Sequence, residues 1–321
     1  MKLIRASLPL LLVSSLWLVD ATAASDKPLI VKGKDAFEFS YKVTIPPIEN
    51  EGKLWLPIAS SDRFQKVELL GVTTHKPWRQ TRDKEFRNRI LTMNLVKADA
   101  GKTVEVRYRV ERKEKSSYKA GKKEDVSRHL NPETLVPRNE RLAKIAREAV
   151  KGAESELAKG KALYWHTLGR MAYDKSGTGW GRGDALYACD SRTGNCTDFH
   201  AYFIGLARAV GLPARFAIGF TIPADADEGI IGGYHCWAEI HAGGKWHPVD
   251  ISEADKHPEL KDYYAGHHPA NRFQFTLGRD LEVEPAPASG AMNYLVYPLV
   301  EADGKVVATE QEFRFKRIRA D

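Results

Sequence analysis

Residues 194–215, GNCTDFHAYFIGLARAVGLPAR, constrain this chain more than any other stretch. They read as a tight turn, then a cysteine, then an amphipathic helix in which Phe199, Phe203, Leu206 and Val210 recur at helical spacing. Gly211 and Pro213 supply the stop. Cys196 therefore falls at or just before the first helical turn, where unpaired backbone N–H groups and the helix dipole favour an anion. That placement lowers a thiol pKa and supplies thiolate for nucleophilic attack, although a free cysteine taken alone is more often buried packing.

A second stretch, GGYHCWAEIHAGGKWHPVDISEA over residues 232–254, adds the partners such a thiolate needs. Aromatic and apolar residues flanked by glycines predict two strands joined at Gly243-Gly244, a two-residue hairpin turn. With that turn Ala242 pairs with Lys245, and working outward Trp237 faces Asp250 while His235 faces Ser252. Side chains alternate along a strand, so His235, Trp237, Glu239, Pro248 and Asp250 share one face. His235 and Asp250 become diagonal neighbours, within reach of a carboxylate that orients an imidazole. A nucleophile at a helix start and a base with its orienter on a hairpin are the parts of a thiol acyl-transfer site.

The motifs GNCTDFH, YHCWAE and WHPVDISEA, in that order, resemble those of the transglutaminase-like superfamily, which embraces transglutaminases, bacterial cysteine peptidases and peptide N-glycanases on a papain-like core. The resemblance covers roughly Asn139 to Glu284 and implies a Cys196, His235, Asp250 triad with no cofactor. It does not identify the side chain that helps the oxyanion in several relatives. Trp180 and Tyr187 lie upstream at plausible distance, and no spacing rule fixes either.

At the start of the chain, Lys2 and Arg5 precede LPLLLVSSLWLV and the small-residue run Ala21-Thr22-Ala23-Ala24, the order of a signal peptide over residues 1–23. Its apolar core is short for a membrane span, and no second segment approaches that length, so the expectation is an exported, periplasmic or secreted protein with no transmembrane segment after cleavage. With 43% hydrophobic and 28% charged residues, the chain is globular in balance, and without the leader it is long enough for two domains. The net charge of +7 owes much to the basic run at residues 106–129, which reads as a solvated strand end and linker. Acidic residues interrupt the run, and Tyr108 and Tyr118 alone do not make a stacking platform, so nucleic acid is not an expected partner.

Residues 28–115 read as short strands, FEFSYKVTI, KLWLPI, QKVELLGVT, ILTMNLV and TVEVRYRVE, punctuated by turns, which predicts a β-sandwich. Residues 116–138 are polar and lysine-rich and read as a linker. Residues 139–321 then form the catalytic domain, with two helical stripes (Leu142, Ile145, Ala146, Ala149; Ala162, Trp165, Leu168, Met171) and closing strands in MNYLVYPLVEADGKVV and EQEFRFKRI. The glycine-rich SGTGWGRGDAL at residues 176–186 lacks the Gly-Lys-Ser/Thr of a phosphate loop and is expected to wall one side of the cleft, with Trp180 a contact.

The same residues admit other chemistry. With Cys196 a free nucleophile, Cys189 and Cys236 are left either to pair in a disulfide or to remain buried thiols. A metal is not expected, because His235 and Cys236 face opposite ways on one strand and His241 and His247 form no ligand pair. His200, four residues after Cys196 on the same helix face, could contact the thiol, and a supporting or packing role is favoured. Asp198 is expected to stabilise the helix start, and Glu239 to line the cleft or pair with Arg215.

The expected fold is α+β, a β-sandwich followed by a papain-like domain with the cysteine helix packed on an antiparallel sheet. The expected chemistry is attack of the Cys196 thiolate on an amide carbonyl of a peptide or protein, giving a thioester. The bacterial exported members of the superfamily imply water as the acceptor. A lysine amine in a cross-linking enzyme, a catalytically inactive binding module and an adhesive envelope protein are the alternatives.

Overall fold

The computed structural model describes residues 29–318, so the expected signal peptide lies outside the described residues. Two antiparallel sheets form the sandwich. One runs in the order Glu228–Ile230, Glu310–Arg317, Lys34–Thr44, Thr103–Lys113, Gln65–Thr73, and the other in the order Lys305–Val307, Leu299–Ala302, Glu51–Ile58, Arg89–Val96, Arg79–Arg82. Strict alternation explains the layering. In Thr103–Lys113 the side chains of Val104, Val106, Tyr108 and Val110 are buried between more exposed neighbours. In the second sheet Leu54, Leu56, Leu91 and Met93 join the main core. Trp55 and Ile90, on the opposite face, pack with Leu281, Val283, Met292 and Leu295.

The third sheet, also antiparallel, orders Arg272–Leu277, Ala214–Thr221, His235–Ala242, Lys245–Val249 and Tyr118–Lys119. Its helices are α1 (Glu140–Ala149), α2 (Glu156–Arg170), α3 (Ala185–Ser191), α4 (Cys196–Ala209), α5 (Ile251–Lys256) and α6 (Lys261–Tyr264). Helix α4 lies on the His235 and Ala214 strands and is covered by α1, α2, α3 and α5. Every residue from Cys196 to Ala207 is buried, so α4 is a central helix rather than the amphipathic one its sequence spacing suggests. Gly205 permits the close approach of α1, since a Cβ there would sit 3.2 Å from Leu142 Cδ1.

The α+β fold is as expected, with three differences in organisation. First, the C-terminal strands belong with the N-terminal sheets: Phe39 pairs with Phe315 and Leu54 with Val300. The expected MNYLVYP strand is irregular between Met292 and Pro298, and only Leu299–Ala302 and Lys305–Val307 form the hairpin. Second, the sandwich and the helical unit share one core. Phe39 meets Phe273 edge-on at 5.1 Å and Phe220 at 5.3 Å, and Tyr41 meets Phe313 at 4.7 Å. Third, α2 buries Gly160, Leu163, Tyr164 and Thr167 and leaves Trp165 39% exposed, so its inward face is turned from the expected stripe.

The expected linker is also structural. Tyr118–Lys119 is an edge strand of the third sheet, and Tyr118 and Glu124 enter a buried charge cluster with Lys115, the residue just before the expected linker. Glu239, 1% exposed, accepts from Lys115 Nζ at 2.9 Å, Arg215 Nε at 2.7 Å and Tyr118 Oη at 3.0 Å. Burial raises the Glu239 pKa, but the Arg215 and Lys115 cations outweigh it and hold the carboxyl well below the usual range. Lys115 thus depends on this carboxylate, which Arg215 also holds while pairing with Glu124 at 2.6 Å. Glu239→Ala should cost about 3–5 kcal/mol in urea unfolding, because Lys115 is left buried and unpaired while Arg215 keeps only Glu124. Glu239→Gln should cost less, and a change under about 1 kcal/mol for the alanine variant would contradict this account.

Candidate active site

Cys196 opens α4, behind a cap that explains the sequence GNCTD. Asn195, at the N-cap, accepts from Thr197 N–H at 2.9 Å, while Asp198 Oδ2 accepts from Asn195 N–H at 3.0 Å, a reciprocal capping box. Asp198 reaches further and accepts from Gly181 N–H at 2.7 Å and Gly183 N–H at 3.0 Å, which ties the glycine-rich loop to the helix start. The turn before the cysteine must be glycine: a Cβ on Gly194, at φ 153°, would lie 2.5 Å from Asp198 Oδ2. Asp198 thus stabilises the helix start as expected and also shapes the loop.

The histidine and the aspartate arrive by a route the hairpin register only partly describes. The ladder from the Gly243-Gly244 turn pairs Ala242 with Lys245 and ends at Ala238 and Val249. Asp250 is therefore not opposite Trp237 on a strand; it is the N-cap of α5, with Oδ1 accepting from Glu253 N–H at 3.2 Å. Even so, His235 Nε2 and Asp250 Oδ2 are 2.7 Å apart. His235 lies opposite Gly219 in the central pair of strands, where the neighbouring ladder bulges. A Cβ on Gly219 would sit 1.9 Å from Phe273 O, so this tight crossing admits glycine alone.

With Nε2 committed to Asp250, Nδ1 is the imidazole nitrogen left for the sulfur, and Cys196 and His235 are hydrogen-bonded. The three groups are 2%, 6% and 0% exposed in the order Cys196, His235, Asp250, so their charges act with little screening by water. Burial opposes ionisation of Cys196, but hydrogen bonds from Cys236 and His235 and the nearby imidazolium outweigh it and take the thiol well below its ordinary value. Burial also opposes the imidazolium of His235, yet the charge and hydrogen bond of Asp250 and the bond to Cys196 push its pKa up to about 9. Asp250 itself is held well below the usual carboxylate range against burial, by His235 and by Arg272, whose Nη2 donates to Oδ2 at 3.0 Å. The favoured state is a thiolate beside an imidazolium backed by a carboxylate.

The remaining expected residues divide cleanly. His200 Nε2 accepts from Ile251 N–H at 3.2 Å, which leaves Nδ1–H to donate to Cys196 O at 2.8 Å. Burial lowers its pKa, so it is a neutral brace between α4 and α5, with Asp250 Oδ1 4.0 Å from Nε2. Trp237 packs against His235 with ring centroids 6.0 Å apart and is fully buried, shielding the imidazole rather than lining open space. Glu239 sits in the charge cluster and not in a cleft. Tyr187 Oη donates to Thr178 O at 3.2 Å, and Trp180 lies under Lys175 Nζ at 5.9 Å, so both shape the glycine-rich loop.

The Cys189–Cys236 bridge is absent, and all three cysteines are free and buried. Cys189, on α3, receives a hydrogen bond from Arg141. Cys236 points from its strand toward α4, where its Sγ is 3.7 Å from His200 Nδ1 and its thiol bonds to Cys196. The alternation that turns Cys236 away from the His235 side thus aims it at the nucleophile's own helix.

Sequence reading misses a tyrosine wall. Tyr234, just before His235, accepts from Asn195 Nδ2 at 3.0 Å, and Tyr297 Oη accepts from Tyr234 N–H at 3.1 Å. Tyr294 Oη donates to Gly181 O at 2.8 Å. The Tyr297 and Tyr294 contacts come from the irregular 292–298 segment, which the sequence presents as a strand.

The model of the transglutaminase-like superfamily matches residues 143–251, a span that holds Cys196, His235 and Asp250. An uncharacterized protein of Haemophilus influenzae is 24% identical over 87% of this chain and 89% of its own. An uncharacterized protein of Mycobacterium leprae is 30% identical over 39% of this chain and 47% of its own. Among solved structures, a protein provisionally named a cysteine protease, from Cytophaga hutchinsonii, matches with a TM-score of 0.60 at 16% identity, covering 90% of this chain and 93% of that one, which establishes a shared fold. Residues 143–251, which carry the cysteine helix and the histidine hairpin, are a domain of the transglutaminase-like superfamily.

Proposed function

We propose that the protein is a thiol-dependent acyl-transfer enzyme that hydrolyses a peptide or related amide. The observation that carries this reading is the buried His235, bonded on one side to Cys196 and on the other to Asp250. The thiolate attacks the amide carbonyl, and the backbone N–H of Cys196 at the start of α4 stabilises the oxyanion. The His235 imidazolium gives its proton to the leaving amine, which frees a thioester on Cys196. His235, now a base, activates water to release the acid, while Asp250 fixes the tautomer and balances the charge. A binding module would gain nothing from holding a thiolate and an imidazolium together out of water, where each ion carries a desolvation cost. The proposed setting is outside the cytoplasm, on the strength of the charged, apolar and small-residue order at residues 1–23.

Iodoacetamide should label Cys196 well below about pH 8.5, the ordinary thiol value, with Cys189 and Cys236 unlabelled in the folded protein. In His235→Ala that early labelling should disappear; equal labelling of all three cysteines only near the ordinary value would refute the ion pair. Amide turnover should fall as pH rises through about 9, where His235 loses the proton it must donate. Asp250→Asn should move that limb to lower pH, since the largest influence raising the His235 pKa is removed. His235→Ala should lower turnover roughly 100- to 10,000-fold. Mass spectrometry of a glutamine peptide, with and without a primary amine, separates the acceptors: deamidation or chain cleavage alone supports hydrolysis, and amine incorporation in its place identifies a cross-linking enzyme.

A further inference from the structure

The outward face of the second sandwich sheet carries a groove of about 720 Å³, lined by cations, amides and one indole. Strand register explains its floor. Lys53 pairs with Asn94 and, two residues along, Thr92 lies between Trp55 and Arg79. Side chains alternate along a strand, so these five point away from Leu54 and Met93, which fill the main core. Lys53 and Arg79 stand two strands apart, about 10 Å across the sheet. The floor is stiff. Trp55 is buried beneath it, and Trp55 Nε1 donates at 2.9 Å to Pro285 O, which fixes one wall. Trp78, on another side, is half-buried and packs against the main core, so its indole is held in place.

The charged groups of the groove are unequally committed. Lys76 Nζ is held by Asp99 Oδ2 at 2.6 Å. Arg79 and Lys53 enter no ion pair among the described residues, and Lys53 Nζ lies 5.8 Å over the Trp55 ring. Glu284 is the one acidic residue in the lining. Gln80 Oε1 accepts from Arg89 Nε at 3.0 Å and Nη2 at 2.8 Å, which leaves both N–H groups of its amide available. Asn94, exposed, adds a second amide. This is a match for a charged sugar chain. Hydroxyls pair with the amides, the C–H face of a sugar ring lies on the indole, and carboxylates take the cations, Arg79 through its fork. Spacing narrows the choice, because two strand spacings equal the length of a disaccharide. We propose that this groove binds an anionic polysaccharide with one carboxylate on every second sugar. A nucleic acid carries a charge on every unit and bases that seek stacking partners, and one indole with two free cations answers neither need. An extended peptide pairs with a strand edge, whereas the floor here is a sheet face. On the acyl-transfer reading the groove holds the enzyme against amides borne by such a polymer, and the binding itself needs no part of that reading.

Isothermal titration calorimetry of the full chain with a hyaluronan hexasaccharide, which has a carboxylate on alternate sugars, should show binding that weakens with added salt. Arg79→Ala and Lys53→Gln should each weaken it about tenfold or more. Arg79 is exposed, so Arg79→Ala should keep the fold, checked by circular dichroism and by unchanged iodoacetamide labelling of Cys196. Neutral chitohexaose and the acidic peptide hexaglutamate should each bind at least about tenfold more weakly than the hyaluronan fragment. No binding of that fragment, or binding that Arg79→Glu leaves unchanged, would overturn the proposal. Hexaglutamate bound as tightly would make the groove an acidic-peptide surface instead, and chitohexaose bound as tightly would remove the cations from recognition. None of these outcomes touches Cys196. Conversely, a Cys196 that labels only near the ordinary thiol value would end the acyl-transfer reading and leave the groove standing.

Discussion

The carboxylate of Asp250 is a wholly buried anion, and most of the site is arranged to satisfy it. Oδ2 takes Nε2–H of His235 at 2.7 Å and Arg272 at 3.0 Å, while Oδ1 takes the Glu253 N–H of the helix it caps. Left alone in a medium of low dielectric constant such a group would hold a proton rather than a charge. Two cations and a helix start keep it ionised, and the charge it retains is what sustains the imidazolium beside Cys196. The chain of dependence runs Arg272 to Asp250 to His235 to Cys196, from a sheet edge, through a helix cap and a strand, to a second helix start.

The range over which each signal acts decides how much of this is legible in the sequence. The cysteine at a helix start and the Gly243-Gly244 hairpin are local, and both stand where the spacing puts them. The His235–Asp250 contact is legible although the strand does not run on past Val249 as expected; a cap and a strand end deliver a side chain to nearly the same place. Arg272 is not legible as part of the site, because nothing local says that a strand 22 residues on lies against Asp250. Tyr294 and Tyr297 read as strand residues, since alternation alone cannot tell a strand from an irregular segment held by hydroxyl hydrogen bonds. Trp165 fits a helical stripe by spacing, but the smaller Gly160 and the longer reach of Tyr164 decide which face lies down.

The linker expectation fails for a different reason. Polar, lysine-rich composition marks a chain that is usually solvated, and it is silent about a buried partner of opposite charge. Lys115 is fully enclosed only because Glu239 waits for it from a strand more than a hundred residues away. Tyr118 then finds its place as both donor to that carboxylate and acceptor from Arg215. Composition separates two domains; charge pairing and the shared aromatic core join them.

The pairing of Lys34–Thr44 with Glu310–Arg317 brings the first described strand and the last into one sheet. Phe313 and Phe315 supply part of the floor on which Phe220 and the third sheet rest. During synthesis the cysteine helix and the histidine hairpin leave the ribosome well before that floor can close. Contacts of such sequence separation form late. A reactive sulfur is therefore assembled only in a finished chain, and a truncated product carries the residues of the site without the means to hold them together.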